Sequence, residues 1–234
     1  MIDCHVHLDD PRYDGEREAI IAGFDADGID FVINSSSDTA SMNAGAALAE
    51  KHEKIYATVG LHPSCAGELN SAVVERIKEL AARPKIVAMG EIGLDYHYPD
   101  TQKQLQKDVF AAQIELADEL KLPLVLHIRD AWGDALDVLK AQNRFLNSGV
   151  MFHCYSGSVE ITKTLARREW YFSVGGSLTY MAKKRCALLA EIPLGQIVTE
   201  TDGPYLAPEP YRGTLNYPKY VRFVLPILAD AYGL

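Results

Sequence analysis

The 234 residues are 48% apolar and 24% charged, the balance of a chain that buries a core rather than one that stays disordered. No apolar run nears the roughly 20 residues needed to span a bilayer, and Met1-Ile2-Asp3-Cys4-His5 has neither the basic nor the apolar region of a signal peptide; a cytoplasmic protein with no membrane partner is the default expectation. A formal net charge of −9 argues against a broad polyanion-binding face, though not against a local cationic pocket.

Short β-branched or apolar runs alternate with amphipathic stretches along the chain. Strands are predicted at 1–5, 29–34, 55–59, 86–90, 123–127, 149–153, 170–175 and 196–199. Runs such as Leu122-Pro-Leu-Val-Leu126 are apolar throughout, as expected of parallel strands covered on both faces. Between them, helices are predicted at 14–27, 39–52, 70–82, 101–121, 131–146, 158–168 and 183–191, with a last one from Tyr217 onward. Asn70 is a natural N-cap for a stripe of Val73, Val74, Ile77, Leu80 and Ala81, and Pro84 blocks continuation. Thr101 and Gln104 have capping-box spacing ahead of Leu105, Val109, Ala112, Leu116 and Leu120. Lys183-Lys184-Arg185 reads as a solvated helix start, and the final helix, ending at Leu234, is short for a closing element.

Eight strands alternating with eight helices, with no linker or low-complexity segment, predict an α/β fold of the (β/α)8 TIM-type barrel, one domain over 1–234, close to the roughly 250 residues usual for such barrels. An open doubly wound sheet is the alternative; no G-x-G-x-x-G or P-loop follows any strand, which removes its commonest nucleotide-binding version.

The polar residues fall where a barrel builds its site, at the carboxyl ends of strands. His5 and His7 end the first strand, His62 follows the third, and Glu91 follows the fourth. His127 ends the fifth, His153 the sixth, and the eighth leads to Glu200 and Asp202. Two residues apart on a strand, His5 and His7 project the same way and can share a cation. With Glu91, His127, His153 and Asp202 they make a nitrogen-and-oxygen ligand set with no thiolate, suited to Zn, Mn, Ni, Co or Mg. Six ligands are too many for one tetrahedral ion, so two divalent ions sharing a carboxylate fit better. No lysine stands where a carboxylated bridge would, which leaves Glu91 as the candidate bridge. Cys4, Cys65, Cys154 and Cys186 form no C-x-x-C pair; they read as free thiols, with Cys4 and Cys154 as packing neighbours of the histidines.

The segments Asp3-Cys-His-Val-His7, Gly60-Leu-His-Pro63, Gly90-Glu-Ile-Gly-Leu-Asp-Tyr96, His127-Ile-Arg-Asp-Ala131, His153-Cys-Tyr-Ser-Gly157, Thr199-Glu-Thr-Asp-Gly-Pro-Tyr205 and Arg212-Gly-Thr-Leu-Asn216-Tyr-Pro218 together resemble the TatD family of metal-dependent deoxyribonucleases, in order and over nearly the whole chain. The resemblance implies a TIM-type barrel of the amidohydrolase class, a divalent metal site (Mg, Mn or Zn) and 3′→5′ hydrolysis of phosphodiesters at DNA ends. It also implies His5, His7, Glu91, His127, His153 and Asp202 as ligands. Catalytic parts are expected for Asp202 as proton acceptor, Glu91, His62 as a group donating to or orienting the phosphate, and Glu200 as an orienter of a ligand. Arg129 and Arg212 suit phosphate, while Tyr96, His97 and Tyr205 suit a base. The expected partner is a DNA end or a small phosphodiester; the alternative activity is hydrolysis of amide, ester or aminoacyl bonds in a small substrate or aminoacyl-tRNA, which the acidic net charge favours, and no obligate protein partner is evident.

Overall fold

In the computed structural model the backbone is described for residues 1–234 and the side chains for all but 182–185, so the basic start predicted at Lys183-Lys184-Arg185 lies outside the described side chains. The strands are β1 (Ile2–Val6), β2 (Phe31–Asn34), β3 (Ile55–Val59), β4 (Ile86–Asp95), β5 (Leu124–Arg129), β6 (Val150–Phe152), β7 (Tyr171–Val174) and β8 (Ile197–Thr199). The helices are α1 (Arg17–Ala22), α2 (Phe24–Asp27), α3 (Thr39–Lys51), α4 (Ser71–Ala81), α5 (Lys103–Leu120), α6 (Trp132–Ala141), α7 (Val159–Ala166), α8 (Ser177–Tyr180), α9 (Ala182–Leu189) and α10 (Leu225–Tyr232), joined in places by 3-10 turns. Among the described residues no helix is long and apolar enough to cross a membrane.

The chain divides into two compact units, one of Met1–Asn34 with Cys154–Leu234 and the other of Ser35–His153. In the second, β3, β4, β5 and β6 pair in that order, all parallel. The β4–β5 ladder sets Gly93 opposite His127 and Asp95 opposite Arg129. Asn70 caps α4 as predicted, its side chain accepting from the N–H groups of Ala72 and Val73, while Val73, Ile77 and Leu80 are buried. A cap contributes about 1 kcal/mol and each buried aliphatic side chain about 1.5–3 kcal/mol, so packing rather than capping holds this helix.

Helix α5 departs from its prediction in two ways. It begins at Lys103 rather than at a Thr101 capping box, because the Thr101 hydroxyl donates to the Tyr98 carbonyl of the preceding turn. Its buried face is also rotated to take in Gln106 and Gln113. Gln113 accepts from Leu61 N–H and donates to Leu61 C=O, and Gln106 accepts from Asp95 N–H. Two amides thus go inside because they satisfy backbone groups that bear on the site, which an apolar periodicity cannot register.

In the first unit β1 pairs with β2 and β7 with β8, again parallel. The segment after β8 runs beside β1: Asp202 N–H donates to His5 C=O and His7 N–H to Gly203 C=O. Val174, Leu178, Leu189, Val224 and Leu228 form a core against which the last helix closes. The predicted helix at 14–27 is broken into α1 and α2 at Gly23.

Candidate metal centre

Strand β4 carries more than its first carboxylate. The predicted strand stops at Gly90, but the chain stays extended to Asp95 because residues 92–95 continue the ladder with β5. Period two then puts Glu91, Gly93 and Asp95 on one face. Glu91 is held at its backbone by N–H donation to Ser36 C=O, and the Ser36 hydroxyl donates to Gly90 C=O at 2.9 Å.

On this face Glu91 meets two imidazoles. His127 Nδ1 lies 2.7 Å and His153 Nε2 3.0 Å from Glu91 Oε1, and the two nitrogens are 3.1 Å apart. Bonds of about 2.0–2.2 Å to one divalent ion put neighbouring ligand atoms about 3.0 Å apart in octahedral and about 3.4 Å apart in tetrahedral geometry. Two of the separations match that spacing and the third, 2.7 Å, is somewhat shorter, and the residues lie among the groups able to hold a metal ion.

His62 stands beside this triad, its Nε2 3.8 Å from Glu91 Oε1. Its Nδ1 accepts from Ser64 N–H at 3.1 Å and bonds Ser64 Oγ at 2.7 Å. A backbone N–H can only donate, so the neutral ring carries its proton on Nε2. Burial pulls the His62 pKa down to about 4, and the ring is therefore a neutral hydrogen-bond donor at pH 7.

The first unit holds a second set. His5 and His7 both present Nε2 to Asp202 Oδ1, at 3.6 and 3.4 Å, with their rings edge-on 5.1 Å apart. These separations suit shared ligation too. Asp202 has a left-handed backbone, φ 56°, an uncommon conformation for a residue with a side chain. Its neighbours impose it. Thr201 N–H donates to Asp3 Oδ1 at 2.9 Å and its hydroxyl to Asp3 Oδ2, while Asn216 Nδ2 donates to Thr201 C=O at 2.8 Å. Burial, with Glu200 nearby, pushes the Asp3 carboxyl up to about 8.

Glu200 is fully buried and accepts from Cys154 N–H at 2.8 Å and from the Ser173 hydroxyl, anchoring the chain directly after His153. Arg129 is about half exposed, with Nη1 4.0 Å from Asp95 Oδ2. The Arg212 guanidinium stacks on Tyr180, 4.3 Å from the ring centroid. Tyr96 donates its hydroxyl to Asp134 and has Lys103 over its ring, His97 pairs with Asp130, and Tyr205 stacks against Arg12.

Sequence reasoning passed over Asp95, whose Oδ2 lies 3.2 Å from His127 Nε2, and over Asp3. The signal for each was present: Asp95 continues the period-two face of Glu91, and Asp3 that of His5 and His7.

Known proteins resemble this chain in sequence and in fold. The family described as TatD related DNase matches residues 2–234. The uncharacterized metal-dependent hydrolase YabD of Bacillus subtilis is 37% identical over 231 residues, covering 98% of this chain and 90% of YabD. The 3′-5′ ssDNA/RNA exonuclease TatD of Enterobacter lignolyticus is 29% identical over 242 residues, covering 100% of this chain and 92% of that protein. The crystal structure of YjjV, a TatD homolog from Escherichia coli, matches with a TM-score of 0.91 at 29% identity, over 99% of this chain and 90% of that one. That likeness bears out the predicted (β/α)8 TIM-type class. The chain is a metal-dependent hydrolase and belongs to the TatD-related DNase family.

Proposed function

We propose that this protein, a single hydrolase domain over 1–234, is a divalent-metal-dependent phosphodiesterase that removes nucleotides from the 3′ ends of unpaired DNA. The observation that carries the reading is the nitrogen-and-oxygen triad Glu91/His127/His153, whose ligand atoms crowd to 2.7–3.1 Å, together with the convergence of His5 and His7 on one oxygen of Asp202. In this reading these residues would hold Mg, Mn or Zn ions, which would supply a lowered pKa of bound water and stabilisation of charge on phosphoryl oxygens. Asp202 accepts the proton of the attacking water. The His62 Nε2–H donates to a phosphate oxygen, a part for which its neutral, Nε2-protonated form is suited. Arg129, about half exposed beside the Glu91 strand, is the cation for a second phosphate contact.

A cleft of about 340 Å³ opens in the Ser35–His153 unit, bordered by Ser64, Asp95, Tyr98, Thr101 and Leu105. Carboxylates line it without a cation, so it suits a base and sugar rather than a phosphate. Tyr98, 62% exposed and edge-on to His97 at 5.1 Å between ring centroids, offers a ring for stacking. Base–aromatic stacking contributes about 1–3 kcal/mol. Tyr98→Ala is therefore expected to raise KM for a single-stranded oligonucleotide about tenfold with kcat little changed, read from steady-state kinetics; an unchanged KM removes Tyr98 from the seat.

The reading is tested with a 5′-labelled single-stranded oligonucleotide and protein reloaded with Mg or Mn. A ladder shortening from the 3′ end, abolished by chelation, is the expected result. The net charge of −9 favours one other reading, hydrolysis of an amide, ester or aminoacyl bond in a small substrate. Metal-dependent turnover of such compounds with intact oligonucleotide would replace the nuclease reading by that one.

A further inference from the structure

We infer that Asp95 is a positioning residue: it selects the His127 tautomer that leaves Nδ1 as an electron-pair donor toward a metal ion. The inference rests on the metal reading above and concerns how this chain prepares a ligand.

With an ion against Nδ1, the ring of His127 can keep a proton only on Nε2. Asp95 Oδ2 lies 3.2 Å from His127 Nε2. An ionised carboxylate only accepts, so the contact requires a proton on Nε2. A neutral imidazole has one N–H, and its Nδ1 is then an unprotonated nitrogen. That nitrogen is the one turned to Glu91 Oε1 at 2.7 Å and His153 Nε2 at 3.1 Å.

Asp95 is itself fixed. Its side chain is 7% exposed, its Oδ1 accepts His97 N–H at 2.9 Å, and its own N–H donates to Gln106 Oε1 at 2.9 Å. The two carboxylate oxygens therefore have separate tasks, Oδ1 for the backbone of His97 and Oδ2 for the ring of His127. A carboxylate behind a metal-binding histidine sets the orientation and basicity of the ring, and its loss costs about 10–100-fold in metal affinity.

This division of labour separates two substitutions. In Asp95→Asn, the backbone N–H of His97 needs an acceptor, so the amide oxygen takes the Oδ1 place and the NH2 faces His127 Nε2. A donor there demands an unprotonated Nε2 and moves the ring proton to Nδ1, the ligating atom. In Asp95→Ala, His127 loses its support but keeps free choice of tautomer. The nearly isosteric Asn should thus be the more damaging change, the reverse of the order expected if Asp95 only filled space.

The test measures zinc affinity of the metal-free, full-length protein by competition with a chromogenic chelator, and NMR of the zinc-loaded protein with 15N-labelled histidine. Expected are a proton on His127 Nε2 in the unaltered zinc-loaded protein, affinity lowered about 10–100-fold in Asp95→Asn, and a smaller loss in Asp95→Ala. Asn binding as tightly as the unaltered protein, or Ala binding more weakly than Asn, overturns the inference. So does a His127 Nε2 without a proton in the unaltered protein, a result independent of whether either variant folds. Failure of the unaltered protein to take up zinc, seen before any variant is made, would instead sink the metal reading beneath it.

Discussion

Glu91→Gln should lower turnover of the 3′-ended oligonucleotide by about a hundredfold or more while leaving the protein folded, and Asp202→Asn should do the same. Each change keeps the shape of the side chain and replaces a charged oxygen by an amide. Glu91 Oε1 is the atom on which His127 Nδ1 and His153 Nε2 both converge, within 3.0 Å. Asp202 Oδ1 plays the corresponding part for His5 and His7. An amide in either place brings less charge to an ion and can turn N–H groups toward nitrogens that need to keep their lone pairs. Folding should survive because the supporting bonds are made by backbone, Glu91 N–H to Ser36 C=O and Asp202 N–H to His5 C=O. Bound metal measured after gel filtration, together with kcat and the thermal midpoint, separates lost chemistry from lost structure. Near-parental kcat in either variant would remove that residue from the mechanism.

Much of this arrangement can be read from residue order alone, and the reason is physical. Each strand of a parallel α/β fold ends near its neighbours' ends, so a ligand at a strand terminus needs no long-range information to be noticed. The candidate ligands His5 and His7, Glu91, His127, His153 and Asp202 were all visible in that way. The same rule concealed the extension of β4. A polar residue at 91 looks like the end of a buried strand, yet the backbone pairs with β5 as far as Asp95, and the carboxylate that supports His127 lies on that extension. Nor could periodicity place Gln106 and Gln113 inside α5, since their burial is compensated by hydrogen bonds to partners remote in sequence. The Asp3–Thr201–Asn216 chain is a further case. It ties together residues 198 and 15 positions apart: period two sets Asp3 on the face of His5 and His7, but does not reveal that its carboxylate will hold the turn before Asp202.

Gly93 is the place where backbone, rather than side-chain chemistry, should prove decisive. Its φ of +142° belongs to a region that L residues rarely adopt. A Cβ there would also come within 2.1 Å of the His127 carbonyl oxygen and 3.2 Å of the His127 nitrogen. Both atoms are backbone, so no rotamer change relieves the clash, and β5 would have to move at the candidate ligand His127. Gly93→Ala is accordingly expected to destabilise the protein by about 3 kcal/mol or more, a fall of roughly 6–12 °C in thermal midpoint for a chain of this size. Metal affinity should fall with it, by more than about tenfold, since a shift of His127 by even a fraction of an ångström spoils the spacing around Glu91. Gly133 in α6 supplies the control. Nothing lies within 4 Å of where its Cβ would be, so Gly133→Ala should leave metal binding alone and stabilise by about 0.5–1 kcal/mol through helix propensity. If Gly93→Ala behaved like Gly133→Ala in both measurements, the close approach of β4 to β5 could not be what holds His127 in place.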